Sequence, residues 1–329
     1  LLLGTGTAGG DSALLTGTAA DAILDDGALV ARNTATPLSL SAITGTGSLT
    51  QSGAARTTLT GTTAYTGATT VTSGTLALGP GSGGVGSSSG LMLSGGTFDI
   101  SAATADQNVK NLAGSSGTIA LGAHTLTVAS AASTTYSGAI TGSGGLAKTG
   151  AGTLTLTAAS ATSGVWRIDQ GTLAVGGAAI ATGGLTEAAG AILMVTPNAG
   201  GAVLDVHGPL SLSGALTVKP AGAVTAGEQF TLIHTTGPGA VGTFTGLPEG
   251  ATFTADSVNF QITYRGGTGH DIVLTARNST TASAAGPDGG SAGSHAAAAT
   301  SGGGVLRLVA LAAAALALLA GFAVFRVFR

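Results

Sequence analysis

Residues Ala42 to Gly79 recur at Ala139 to Gly176. Laid over one another at a constant offset of 97 residues and without a gap, the two stretches agree at 18 of 38 positions and close on the same Gly-Thr-Leu-Ala-x-Gly. A chain that repeats itself in this way, with glycine and threonine throughout, cannot bury each unit's apolar side alone. It must stack one unit on the next, as a solenoid does.

The texture between and around the copies says how the units are built. Thr153-Leu154-Thr155-Leu156-Thr157 and Thr125-Leu126-Thr127-Val128 alternate with a period of two, which puts leucine and valine on one face of a strand and threonine on the other. Glycines break the strands at intervals, where the chain must turn corners. With about 20 to 25 residues per turn of a solenoid, the offset corresponds to roughly four turns. No long amphipathic helical pattern appears before residue 300, so the expected fold is all-β: a right-handed parallel β-helix over residues 1–202.

The second copy carries Gly-Leu-x-Lys-x-Gly-x-Gly-Thr-Leu-x-Leu-Thr at Gly145 to Thr157. The first carries Tyr-Thr-Gly-x-Thr-Thr-Val at Tyr65 to Val71, and both end on Gly-Thr-Leu. On these residues the stretch from about Leu38 to Gly176 resembles the autotransporter-associated beta-strand repeat of bacterial secreted proteins. The segments Leu91 to Ile100 and Asn108 to Ser130 resemble the spacer strands between such repeats. The second copy departs from the pattern at Ala161-Thr162-Ser163, where Asn-Thr-Tyr is usual, and at Val165-Trp166-Arg167, where small residues are. The resemblance implies a parallel β-helix presented outside the cell, and no particular chemistry.

Past residue 202 the strands lengthen and gain bulk, as in Phe230-Thr231-Leu232-Ile233 and Asn259 to Tyr264, with turns at Gly246 to Gly250 and Arg265 to Gly269. Residues 203–276 read as a β-rich cap, which an open last turn needs to cover its core and edges. Residues 277–304 are low-complexity and read as a flexible linker. Leu308 to Phe325 holds 18 residues without a charge and is followed by Arg326 and Arg329, so 305–329 reads as one transmembrane helix with a basic tail. The positive-inside rule puts those arginines in the cytoplasm and the rest of the chain across the membrane, which the chain would contact through residues 305–325. With Gly302-Gly303-Gly304 ahead of it, the tail is similar to bacterial C-terminal sorting signals, which leaves open a permanent anchor or a processed tail. Leu1-Leu2-Leu3 runs into Gly4-Thr5-Gly6 without the charged and apolar regions of a leader, and the expectation is a fragment or processed form whose leader has been lost.

Composition narrows the functions. Only 8% of residues are charged and the net charge is -3, with no basic stripe to neutralise phosphates, so nucleic acid is not an expected partner. No cysteine is present, which removes thiol nucleophiles and Cys-based metal sites. Between residues 27 and 180 the only acids are Asp99, Asp106 and Asp169, too dispersed for the paired carboxylates of a glycoside hydrolase. No catalytic, cofactor-binding or metal residues are therefore assigned, and no cofactor is expected.

Five features of the sequence are candidate sites. Gly266-Gly267-Thr268-Gly269-His270-Asp271 fits the start of a calcium-binding nonapeptide, but occurs once where such ions are shared by tandem copies, so a Gly-rich hairpin is the simpler reading. Asp205 and His207 share a strand face without a third ligand, and Asp25-Asp26 reads as a turn. His124, His234 and His295 read as solvated. Trp166 with Arg167 and Asp169 reads either as a sugar-stacking platform or as a core-filling ring. The expected function is a non-enzymatic, adhesin-like or structural surface stalk at a bacterial cell surface. A carbohydrate-binding module and an autotransporter passenger fragment are the alternatives, with glycans or other surface proteins as partners.

Overall fold

The structure, a computed structural model, describes residues 1–3, 22–197 and 201–278. Those residues form strands and turns, with no helix among them. The expected helix at 305–329, and the expected linker beyond residue 278, lie outside the described residues. None of the described elements is a helix long and apolar enough to cross a membrane.

The strands coil into about ten turns of a parallel β-solenoid. Most turns contribute one strand to each of three ladders. The first ladder runs through Ala22–Leu24, Ala42–Gly45 and Thr63–Tyr65. It resumes with Gln107–Val109, Leu126–Val128, Leu146–Lys148, Val165–Ile168, Gly184–Glu187 and Leu210–Leu212. Between these two runs the turn passes through residues 83–86 without a strand, held by the Gly83 N–H to the Gly61 carbonyl at 3.0 Å. The second ladder includes Ser48–Gln51, Thr69–Val71, Thr153–Leu156, Thr172–Gly176 and Ile192–Thr196. The third includes Arg56–Leu59, Thr75–Leu78, Ala139–Gly142, Ser160–Thr162, Ile180–Thr182 and Leu204–Val206. Two long strands, Leu91–Asp99 and Leu112–Ala120, round a corner and serve the second and third ladders in turn.

Alternation does what the sequence reading expects of it. Leu154 and Leu156 are buried while Thr153 and Thr155 are part-exposed, and the inward leucines, isoleucines and valines form one continuous column through the coil. Each such side chain contributes roughly 1.5–3 kcal/mol by leaving water. Threonine is not confined to the outside, however. Thr57, Thr69 and Thr182 are fully buried, and the Thr182 hydroxyl donates to the carbonyls of Gly164 and Gly184 at 2.9 Å each. At corners, where backbone carbonyls point inward, a short hydroxyl satisfies what an aliphatic side chain would leave unpaired.

One corner needs glycine in both copies. Gly74 and Gly171 have φ of +61° and +70°, and a Cβ there would lie 2.2 and 2.3 Å from the carbonyl oxygens of Gly53 and Gly150 one turn below. The close stacking of turns and the left-handed backbone both exclude a larger residue.

The offset between the copies is not four turns. Their opening strands, Ala42–Gly45 and Ala139–Gly142, lie in the first and third ladders, so the chain makes four turns and two thirds of a fifth between them. Turns here take about 20 residues, as in the register Leu126 to Leu146, shorter than most of the expected range.

Parallel stacking also outlasts residue 202. Leu204–Val206, Leu210–Leu212 and Ala215–Val218 continue all three ladders, and Gln229–Thr235 still pairs in parallel with Leu204–Val206. On its other edge Gln229–Thr235 meets Asp271–Ala276 in antiparallel register. Val258–Gly266 and Thr252–Ala255 follow in the same sense and close the coil. Phe260 packs between Phe230 and Phe253, with ring centroids 6.1 and 5.9 Å away. The bulky strands that mark the cap in the sequence are thus its antiparallel part.

Candidate functional site

On the first ladder, Thr127, Ala147 and Arg167 are registered partners on three successive strands. Their neighbours Leu126, Val128, Leu146, Trp166 and Ile168 point into the core, which fixes these three outward. Ala147 is the shortest of them and leaves a notch between the threonine of the preceding turn and the arginine of the next. Corners on either side supply walls, among them Asp106, Thr125, Ser143, Val165 and Asp169. The open cavity has a volume of about 440 Å³.

The charged groups in the notch are held. The Arg167 Nε and Nη2 donate to Asp169 Oδ1 at 3.3 and 3.1 Å, and Asp106 Oδ1 accepts the Thr125 N–H at 2.8 Å. His124 stands behind Asp106, its Nδ1 3.9 Å from the same oxygen. One guanidinium against two carboxylates gives the notch a net charge of about -1.

Trp166 takes no part in it. The ring is fully buried and its Nε1 donates to Thr162 Oγ1 at 2.7 Å, so the stacking platform is replaced by a core-filling indole. Alternation decides this: Arg167 faces out, so Trp166 faces in. Of the expected trio, Arg167 and Asp169 remain together at the surface.

The other sequence candidates go elsewhere. Asp25 and Asp26 diverge: Asp25 Oδ1 accepts the Gly27 N–H at 3.2 Å within its own turn, and Asp26 Oδ1 accepts the Thr46 N–H and hydroxyl at 3.0 and 3.2 Å from the next. Asp205 and His207 do share a face, with Oδ2 to Nε2 at 3.7 Å, and His207 Nδ1 reaches Thr236 Oγ1 at 3.3 Å. The Gly266–Asp271 segment is the antiparallel hairpin turn, Gly266 opposite Asp271. Its Asp271 side chain is buried and meets the Thr235 N–H at 3.1 Å and His234 Nδ1 at 2.9 Å. His234 is therefore a partner of a buried carboxylate and not simply solvated. Burial pushes the Asp271 carboxyl upward, but the N–H groups of Thr235 and Thr268 and the adjacent His234 outweigh it and hold it below the ordinary range. His295 lies outside the described residues. Among the described residues no three of His, Asp and Glu come close enough to hold a metal ion.

Two buried charged groups escaped the sequence reading. Lys148 is fully buried and its Nζ donates to the carbonyls of Thr149, Gly150 and Gln170 at 2.8, 2.7 and 3.2 Å, while burial lowers its pKa. The equivalent residue in the first copy, Gln51, does the same work for Gly53 and Ala55 at 2.8 and 3.1 Å. Glu187, two strands further along the first ladder, accepts the Leu193 N–H at 2.9 Å and the Gly214 N–H at 3.3 Å. Burial raises its pKa to about 8, against the pull of those two N–H groups. The signal for Lys148 was in the repeat alignment, where lysine stands over glutamine two residues after an inward leucine, Leu146 or Leu49, and two before a glycine. All three bonds of Lys148 go to its own and the adjacent turn, which makes it a corner fastener.

Parallel ladders, an antiparallel closing unit and outward small polar residues define a capped β-solenoid. Residues 49–78 and 146–175 match the family model described as passenger-associated-transport-repeat, one match within each copy of the repeat. No curated protein and no solved structure matches the chain.

Proposed function

We propose that this chain forms the stalk of a secreted or surface-exposed passenger, non-enzymatic and adhesin-like, that holds its surface away from the cell. The observation that carries the reading is that both repeat matches lie within parallel ladders running from the first described strands to the antiparallel cap. A solenoid with such a cap suits a spacer, since its length grows with each turn and its stability is the sum of neighbouring interfaces. In this reading the apolar segment at 305–325 anchors or sorts the chain at the membrane, with Arg326 and Arg329 on the cytoplasmic side.

Protease shaving of intact cells tests it. Loss of the coil's peptides from the cell fraction, while a cytoplasmic marker stays intact, is the expected result; a fully protected chain in intact cells overturns the proposal. Intact-mass measurement of the mature C-terminus then separates an anchor, which retains Arg329, from a processed tail ending near Gly303.

A further inference from the structure

The notch over Ala147 is open and lined mainly by polar side chains. We infer that it is a binding site for a neutral, hydroxyl-rich saccharide, a property additional to the stalk role. Three features of the notch carry the inference. First, its polar surface is mainly short hydroxyls, Thr125, Thr127, Ser143 and Thr149, set on corners and strands whose positions the ladder fixes. The Ser143 hydroxyl donates to the Gly122 carbonyl at 3.0 Å and offers its lone pairs, while the threonine hydroxyls can donate and accept, and so match sugar hydroxyls, which do both. A rigid strand framework spares the binder the cost of ordering them.

Second, the arrangement of charge selects against acidic ligands. The Arg167 guanidinium is spent along one edge on Asp169, which leaves its outer amino group to donate, and Asp106 and Asp169 supply carboxylate acceptors. The net charge of about -1 repels a uronate or sialate carboxylate and accepts a neutral ring whose hydroxyls donate to the two aspartates. Third, the floor is small. Ala147 between Thr127 and Arg167 lets a flat ring approach the sheet, and Val165, an exposed apolar side chain, gives its non-polar face a contact. Trp166, buried beneath, fixes the position of Arg167 and Val165 and does not touch the ligand.

Calorimetric titration of the full chain tests the inference, with cellohexaose, maltohexaose and mannohexaose as neutral probes and a galacturonate hexamer as the acidic one. At least one neutral hexamer is expected to bind, at least tenfold more weakly to Arg167→Ala and to Ala147→Gln, and equally well to Arg265→Ala on the terminal hairpin. Arg167 is exposed, so its variant keeps the fold and decides the matter alone if Ala147→Gln does not fold. Binding of none of the neutral hexamers, binding of the galacturonate hexamer only, or binding that survives Arg167→Ala would each overturn the assignment. None of these results bears on cell-surface exposure, so the stalk reading stands or falls separately.

Discussion

Tyr65 and Trp166 fill the core from opposite ends of one hydrogen bond. Under the 97-residue offset, Tyr65 and Thr69 correspond to Thr162 and Trp166. In the first copy the Tyr65 hydroxyl meets Thr69 Oγ1 at 2.7 Å; in the second the Trp166 N–H meets Thr162 Oγ1 at the same distance. The aromatic ring and the threonine have exchanged places, and each copy keeps one large ring with its polar atom satisfied. Trp166→Ala should therefore cost about 3–5 kcal/mol in a urea titration, while the exchange Thr162→Tyr with Trp166→Thr should recover most of it, because the first copy shows that arrangement to be viable. A double variant no more stable than Trp166→Ala would refute the equivalence. The inward direction of Trp166 was legible as the core-filling reading, but its hydrogen-bond partner was not, since that partner lies four residues away on another strand. Thr-Leu alternation marked which residues share a face, and Ile168 beside Arg167 was the available clue.

At the scale of elements, two carboxylates join strands that stacking alone does not. Glu187 ties Gly184–Glu187 to the strand at Ile192–Thr196 and to the corner at Gly214. Its pKa is raised from 4.5 to about 8, so between those values the folded chain holds a proton that the unfolded chain has lost. Its contribution to stability is complete below pH 4.5 and declines as pH rises to about 8, by an amount on the order of a few kcal/mol. Unfolding midpoints of Glu187→Gln measured from pH 4.5 to 8 should lack that decline, whatever the variant's absolute stability. Asp271 behaves in the opposite sense. Its pKa is lowered, so the stability it gives the cap is present above the unfolded value of 3.8 and is lost as pH falls through the folded one. Hydrogen exchange at low pH should open Val258–Gly266 and Asp271–Ala276 before Leu146–Lys148; simultaneous opening would show that the hairpin has no separate hold. The cap's strands were legible from their bulk, whereas its start was not, because parallel and antiparallel strands share the same alternation.

Across the whole molecule, contacts run between turns about 20 residues apart, and each turn touches only the ones above and below. Stability in such an array is close to additive in its interfaces. Deleting Leu146 to Val165 removes one turn and brings Trp166 to the place of Leu146, since the register joins 126, 146 and 166 through successive partners. The shortened chain should still unfold cooperatively and give a β-type circular dichroism spectrum, with a modestly lower midpoint; loss of the folded signal would mean that this turn is a keystone and not one unit among equals. The repeat was legible to the residue. Its placement around the coil was not, because the length of a turn depends on corner geometry that 97 residues of similarity do not record. That placement has a consequence for recognition. Since equivalent strands of the two copies lie in different ladders, the surface presented by one copy points a third of a revolution away from that of the other. A two-armed antibody raised against the shared motif would find its second target around the corner of the shaft, not further along the same side.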